Sequence, residues 1–245
     1  MKIFTTAIIK GGTGKSTTAA ALAQVAHKSG KKALAIDLDP QANLSFFIGA
    51  DQNAPGVYDL LHGSAVADVI QTTPQHIDVI TASPDLATEK TTAGSVKRLQ
   101  EALEPVKDKY SFCFIDTPPQ MGELTYNALQ AADGLIIPLE TDNSSIQGLY
   151  QISDIASQMQ DSNPQLSIIG VVLTRYDSRP KLNRYLQSEI EKTAGEIGAP
   201  YLGAIRSGIA IREAQAMQQN LYDYAPRSNP AVDYRNLYAK ITAAV

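Results

Sequence analysis

One cysteine, three histidines and no long apolar run set the outer limits on what this 245-residue chain can be. The lone thiol, Cys113 in the apolar stretch "FCFID", excludes an internal disulfide and any multi-cysteine metal or iron-sulfur site, and it reads as a small core hydrophobe. His27, His62 and His76 are scattered, which suggests neither a metal site nor a histidine base. No stretch of about 18 apolar residues is present to cross a bilayer. "KIFTTAII" runs into a glycine-rich loop without the apolar segment and cleavage site of a secretion signal, so the expected location is the cytoplasm. Repeats, low-complexity tracts and linkers are missing too. A single domain over residues 1–245 is therefore expected, with 44% hydrophobic residues to fill a sizeable core.

Positive charge is also in short supply, since the net charge is -4, and taken whole this argues mildly against nucleic acid as a partner. Its distribution is uneven. Residues 1–174 hold 11 Lys and Arg against 18 Asp and Glu, whereas residues 175–245 hold 10 against 7. Seven of the eight arginines, at positions 175, 179, 184, 206, 212, 227 and 235, fall in the second stretch. Counts alone favour ordinary solvated helix surface and leave a basic binding face open.

What is present is an alternation that runs from one end to the other. The strand candidates are "IFTTAII", "ALAID", "IDVITA", "FCFID", "GLIIPL", "SIIGVVLT" and "YLGAI". Between them, segments such as "STTAAALAQVAHKSG", "VKRLQEALEPV" and "LNRYLQSEIEKTAG" repeat apolar residues at helical spacing. The pattern predicts an α/β fold, a three-layer sandwich with a mostly parallel, doubly wound sheet. A closing helix is predicted in "SNPAVDYRNLYAKI", with Asn229 as its cap and Pro230 in its first turn.

The chemistry gathers in three turns. In "AIIKGGTGKSTTAAALAQ", Ala7 to Gln24, the phosphate-loop pattern G-x-x-x-x-G-K-[ST] anchored on Gly14, Lys15 and Ser16 asks for glycine at position 9, where this chain has Ile9. Gly11 and Gly12 lie inside the loop instead, and a second lysine, Lys10, precedes them. Gly11, Gly12, Thr13 and Gly14 would let the backbone approach the phosphates of ATP, whose charge faces the amides of the helix that follows. Lys15 is expected at the β and γ phosphates, the Ser16 hydroxyl on Mg²⁺ and Thr17 at the α phosphate. In "YSFCFIDTPP", Asp116 closes a strand and is expected to hold Mg²⁺ through water. In "IDLDPQAN", Asp37 and Asp39 are two apart and point the same way if strand geometry persists. Asp39 is assigned to orienting an attacking water, with Asp37 in support and indirectly at the metal.

"KGGTGKST", "DLDPQAN" and "FIDTPP" closely resemble the deviant Walker A, second switch and Walker B motifs of the ParA family of partition ATPases, within the larger group that includes MinD and the nitrogenase iron protein. "NALQAADGLIIPLETDNSSIQGL", "VVLTRYDSRPKLNRYL" and "YAPRSNPAVDYRNLYAKI" resemble family segments in the same order, so the likeness covers essentially the whole chain. The resemblance implies that Lys10 is the signature lysine, reaching across a homodimer formed on ATP binding to the other subunit's nucleotide. It places Lys10 with Lys15 and Asp39 among the catalytic residues, and Thr174 and Arg175 of "LTRYD" beside adenine. It also implies a slow ATPase stimulated by a ParB-type partner. In the ATP state the dimer would bind double-stranded DNA without sequence preference, associate with the nucleoid and help partition plasmid, chromosome or mobile-element DNA. The resemblance turns the arginine-rich stretch into a DNA-binding expectation, centred on Arg206 and Arg212 with Lys181, Arg184 and Arg227. "IRSGIAIREAQAMQQN" follows the family outline only loosely, and Ser16 replaces the commoner threonine while keeping its hydroxyl.

Other members of the group supply the alternatives. A MinD-like membrane-surface ATPase would want a basic amphipathic helix at the end, whereas "YRNLYAKITAAV" carries only Arg235 and Lys240, so no membrane partner is expected. A ParA-like ATPase positioning a protein cargo stays open. Bridging cysteines are missing for an iron protein. A tyrosine kinase would show a terminal tyrosine cluster, while Tyr234 and Tyr238, four apart, read as packing residues.

Overall fold

The apolar runs become strands and the helical-period segments become helices in the structure, a computed structural model that describes residues 1–90 and 94–243. In chain order the first elements are β1 (Lys2–Thr6), α1 (Lys15–Lys28), β2 (Ala33–Asp37), α2 (Asn43–Phe47), α3 (Val57–Leu61), α4 (Val66–Val69), β3 (Gln71–Thr72), β4 (Asp78–Ile80) and α5 (Arg98–Leu103). There follow β5 (Phe112–Asp116), α6 (Glu123–Ala131), β6 (Gly134–Leu139), α7 (Asn143–Gln160), β7 (Ser167–Tyr176) and α8 (Lys181–Glu196). The chain closes with β8 (Tyr201–Arg206), α9 (Ile209–Ala216), α10 (Leu221–Tyr224) and α11 (Asn229–Ala243).

Eight strands form one sheet in the order β3-β4-β2-β5-β1-β6-β7-β8. Every pairing is parallel except β3 with β4. Side chains alternate between two buried faces. Ile3, Leu34, Ile36, Cys113, Ile115 and Leu135 pack with α5, α6 and α7, whereas Phe4, Ala35, Phe114 and Ile136 pack beneath α1 and α11. Apolar side chains on both faces are what a covered parallel sheet requires. Alanines at 19, 20, 21, 23 and 26 keep α1 thin, and Tyr234 of α11 reaches across to share a 3.1 Å hydrogen bond with the Thr18 hydroxyl.

This topology places β1 in the middle of the sheet, between β5 and β6. The chain builds outward from β1 in both directions, and ligands of open α/β sheets bind beyond the strand ends at such a reversal. Thr6 pairs in register with Asp116, and Asp116 with Asp37. The three predicted turns therefore emerge side by side at one edge.

The predicted boundaries shift where tertiary contacts overrule local pattern. The first strand stops at Thr6 rather than Ile9 because the chain peels away into the loop, and β7 extends to Tyr176. "VKRLQEALEPV" narrows to α5 between two 3₁₀ turns, since Pro105 has no N–H to continue the α-helical ladder. α11 opens at Asn229, so the predicted cap residue lies inside the first turn beside Pro230. The sequence reading missed α2, α3, α4, β3, α9 and α10, none longer than eight residues. Such pieces are too short to show a period and are held by packing. Among the described residues, no helix is long and apolar enough to cross a membrane.

Candidate functional site

The loop between β1 and α1 is shaped by backbone that only glycine adopts freely. Gly12 and Gly14 sit at φ 78° and 85°, and a Cβ built on Gly14 would lie 3.3 Å from the Thr174 side chain. At Gly11 and Gly12 a Cβ would meet nothing within 4 Å, so open space faces the loop on that side. Thr174 is buried, and its hydroxyl donates to the carbonyl oxygens of Thr13 at 2.8 Å and Leu139 at 3.1 Å, fastening the loop to the end of β7. This is a holding role that the sequence did not announce. The same residue also lines a cavity of about 400 Å³ with Gly14, Thr17, Arg212, Gln215 and Tyr234, the side where adenine was expected.

Lys15 is 6% exposed, and its ammonium donates to the Lys10 carbonyl at 2.9 Å. Burial lowers its pKa, opposed by the charges of Asp116 and Asp39. Around it the three carboxylates are crowded. Asp37 is fully buried and accepts the amides of Asp39 and Ser45 and the Ser45 hydroxyl at 3.1, 2.8 and 2.8 Å, yet burial still raises its pKa to about 6. Asp39 accepts the Gln41 amide at 3.0 Å and lines a cleft of about 550 Å³ in front of Gly11 and Gly12. Burial, then the neighbouring charge of Asp37, pushes Asp116 well above the usual carboxylate range, against the pull of the Ser16 hydroxyl and Lys15. Ser16 lies near enough to exert that pull, but among the described residues neither Asp116 oxygen has a hydrogen bond of normal geometry. Such a group calls for a cation or a hydrated ion.

These features fit a magnesium nucleotide: an open glycine cradle, a buried lysine, a hydroxyl at Ser16 and an orphaned carboxylate behind it. Among the described residues no group of three or more His, Cys, Asp or Glu is placed to hold a metal ion. Mg²⁺ commonly takes one or two protein ligands and completes its shell with water and phosphate oxygens.

The raised carboxylates have a measurable consequence. A raised acid favours its protonated form in the folded state, so its contribution to stability is complete below the unfolded pKa near 4 and is lost as pH rises through the folded value, about 6 for Asp37. Without nucleotide, Asp116→Asn is expected to stabilise the protein at pH 7 by about 1–3 kcal/mol. That is a rise in Tm of about 2–10 °C, with a smaller gain at pH 4. Thermal melts at the two pH values check this, and a lower Tm for the variant at pH 7 contradicts it.

Two further carboxylates, unforeseen in the sequence, hold Lys10 and Arg175. Lys10 Nζ pairs with Asp142, the N-cap of α7, which also accepts the Ser145 amide at 3.0 Å. Burial alone would raise the Asp142 pKa, but hydrogen bonds from Lys10 and Ser144 lower it. Two residues earlier, Glu140 accepts from Arg175 at 2.9 Å, and Arg175 adopts φ 49°, uncommon for a residue with a side chain. Glu123 also lines the 550 Å³ cleft, one oxygen accepting from Asn127 at 2.7 Å and the other buried without a partner among the described residues.

Arg206 and Arg184 are held by partners within the chain. Arg206 makes a two-pronged contact with Asp233 at 2.9 and 2.7 Å. Arg184 donates to the carbonyls of Ser178 and Arg179 at 2.7 and 2.9 Å. Arg212 is exposed and faces the 400 Å³ cavity, and Lys181 and Arg227 are exposed.

Fold and loop together define a P-loop nucleotide-binding protein of the α/β class. A family model described as an AAA domain matches residues 1–168. The sporulation initiation inhibitor protein Soj of Bacillus subtilis (strain 168) is 35% identical over 243 residues, covering 96% of this chain and 95% of Soj. The chromosome partitioning protein ParA of Caulobacter vibrioides (strain NA1000 / CB15N) is 34% identical over 236 residues, covering 91% of this chain and 88% of ParA. Among solved structures, cobyrinic acid a,c-diamide synthase from Mycobacterium smegmatis with bound ADP and magnesium superposes with a TM-score of 0.84 at 27% identity, covering 98% of this chain and 93% of that one. The same synthase is also known with an ATP analog and magnesium. The chain belongs to the ParA/Soj family of P-loop ATPases, and the related synthase structures hold magnesium with ADP or an ATP analog.

Proposed function

We propose that the chain is a one-domain, Mg²⁺-dependent ATPase that closes into a homodimer on ATP, binds double-stranded DNA without sequence preference in that state, and partitions or positions DNA. The observation that carries the reading is the division of labour between two lysines. Lys15 is buried against its own loop, whereas the Lys10 ammonium turns away onto Asp142 and its side chain is 27% exposed. A lysine held there is free to serve a nucleotide that is not its own.

In this reading Gly11, Gly12, Thr13 and Gly14 cradle the phosphates, Lys15 holds the β and γ oxygens, and Thr17 meets the α phosphate. Ser16 and, through water, Asp116 hold Mg²⁺, which neutralises phosphate charge when bound. Asp39 orients the attacking water from its place on the cleft, with Asp37 fixing the turn through Ser45. Thr174 and Arg175 border the base. Such a site is slow by itself, because Lys10 must leave Asp142 before it acts, and a ParB-type partner that favours the closed dimer would speed it. The relative named chromosome partitioning protein ParA supports a role in DNA partition, and cytoplasm with nucleoid association in the ATP state is the matching location.

DNA contacts are assigned to Arg206 and Arg212, with Lys181, Arg184 and Arg227 at the margin. Contacts of this kind go to phosphates, so affinity should fall steeply with salt. ATP is expected to tighten binding to arbitrary duplex DNA by about tenfold or more over ADP, the range of an ordinary coupling energy. Arg206→Ala combined with Arg212→Ala should remove most of that gain and flatten the salt slope by about two. Gel shift or sedimentation with nonspecific DNA in ADP and ATP tests this. Equal binding in both nucleotides would indicate a static basic patch rather than a switch.

A further inference from the structure

The turn that carries Asp37 and Asp39 is tied to the arginine-bearing end of the chain by glutamine amides. α2 follows that turn directly, and its last carbonyls are taken from outside. Gln75 Nε2 donates to the Phe47 carbonyl and to the Gln218 carbonyl, both at 2.9 Å, while Gln218 Nε2 donates to the Phe46 carbonyl at 3.1 Å. Gln75 is itself held. Its Oε1 accepts from Gln24 Nε2 at 2.8 Å, and Gln24 Oε1 accepts the Leu221 amide at 3.3 Å. Gln75 and Gln24 are 8% and 4% exposed, so breaking these bonds leaves buried polar groups with little water to replace them. The turn between β3 and β4 fixes Gln75 in place, with the His76 amide donating to Thr73 O at 2.8 Å and the Thr73 amide to Ile77 O at 2.9 Å.

α9 is anchored around its C-terminal end. Gln215 Nε2 donates to the Thr17 hydroxyl at 3.0 Å, beside the phosphate loop, and Arg212 lies one turn earlier. Just past that end Gln218 takes φ 52°, the left-handed position that follows many helices and that glycine usually fills. The Gln218 and Gln219 amides close the helix by donating to Gln215 O at 3.1 Å and Ala214 O at 2.8 Å. A long side chain is thus kept at a place suited to glycine, and it grips α2.

We propose that Gln75 and Gln218 form a relay that carries the nucleotide state of the Asp37–Phe47 segment to α9 and thereby sets the position of Arg212. The relay rests on the reading of the chain as an ATP-driven switch, and DNA binding is the output assigned to it. A rearrangement of the turn around a γ phosphate moves α2, and with two of its carbonyls bound to the Gln75 and Gln218 amides, α9 moves with it or the bonds break. Gln75 and Gln218 are positioning residues and touch no substrate.

Hydrogen exchange of the α9 amides in the full chain, with Mg²⁺ and either ADP or a non-hydrolysable ATP analog, tests the relay beside duplex DNA binding under the same conditions. In the unaltered protein the analog should change α9 exchange by about tenfold, and in Gln75→Leu and Gln218→Gly the difference should shrink below about threefold. Nucleotide affinity in both variants should stay within about twofold. Gln218→Gly suits the backbone, so it decides the matter if Gln75→Leu does not fold. An undiminished α9 response in the folded variants overturns the relay, as does an unaltered protein whose α9 ignores the nucleotide. An α9 response with equal DNA affinity in ADP and ATP retires the DNA reading and leaves the relay standing.

Discussion

Lys15→Ala is expected to abolish nucleotide binding, raising the Kd for Mg-ATP by at least about a hundredfold. The variant loses charge-assisted hydrogen bonds to phosphate, each worth about 1.5–3 kcal/mol. It loses more than that, because the Lys15 ammonium is also the charge that opposes Asp116 and Asp39 in the buried cluster. Without it the loop loses the buried cation that draws phosphate oxygens to the site. Titration calorimetry measures the effect, and an unchanged affinity would overturn the phosphate-loop assignment. Lys15→Arg should rescue little, since a guanidinium is larger and differently shaped than the ammonium held at a position only 6% exposed.

Lys10→Ala separates binding from turnover. With Lys15, Ser16 and the glycines intact, monomer affinity for ATP should stay within a few-fold, while hydrolysis at saturating ATP should fall by about 10²–10³ and the ATP dimer should fail to form. The magnitude follows from losing one preorganised cation at a transferring phosphoryl group. Asp142→Asn is the companion variant. It keeps an acceptor for the Ser145 amide but frees Lys10 from its carboxylate, so dimerisation should be no weaker and turnover no slower than in the unaltered protein. Sedimentation and steady-state turnover read both effects, and a fully active Lys10→Ala variant that never dimerises would defeat the assignment to the other subunit.

What the sequence disclosed and what it withheld follow chain distance. That Lys15, Ser16, Asp37, Asp39 and Asp116 gather in one place was legible because they lie in or beside the turns that follow apolar strands, and parallel pairing brings such turns together. The partners of those turns were not. Lys10 and Asp142 are 132 residues apart, and the Thr174 hydroxyl meets the Thr13 carbonyl across 161. "ETDNSS" carries no mark that its aspartate will cap α7 and hold a lysine at once. Counting arginines located the basic stretch but could not tell that Arg206 is matched by Asp233, since the match depends on β8 lying beside α11. α2 and α9, which frame the relay, were too short to show a period, and the strands that deliver Gln75 include one of two residues.

The central place of β1 also bears on how the protein is made. The phosphate loop lies within the first seventeen residues, yet β1 finds its sheet neighbours only at Phe112 and Gly134. Thr13 and Thr17 wait for Thr174 and Gln215. At about 5–20 residues per second of synthesis, the loop is exposed for roughly ten to forty seconds before the last of these partners appears. A nascent chain therefore carries the nucleotide motif long before the contacts that hold the loop in place can form.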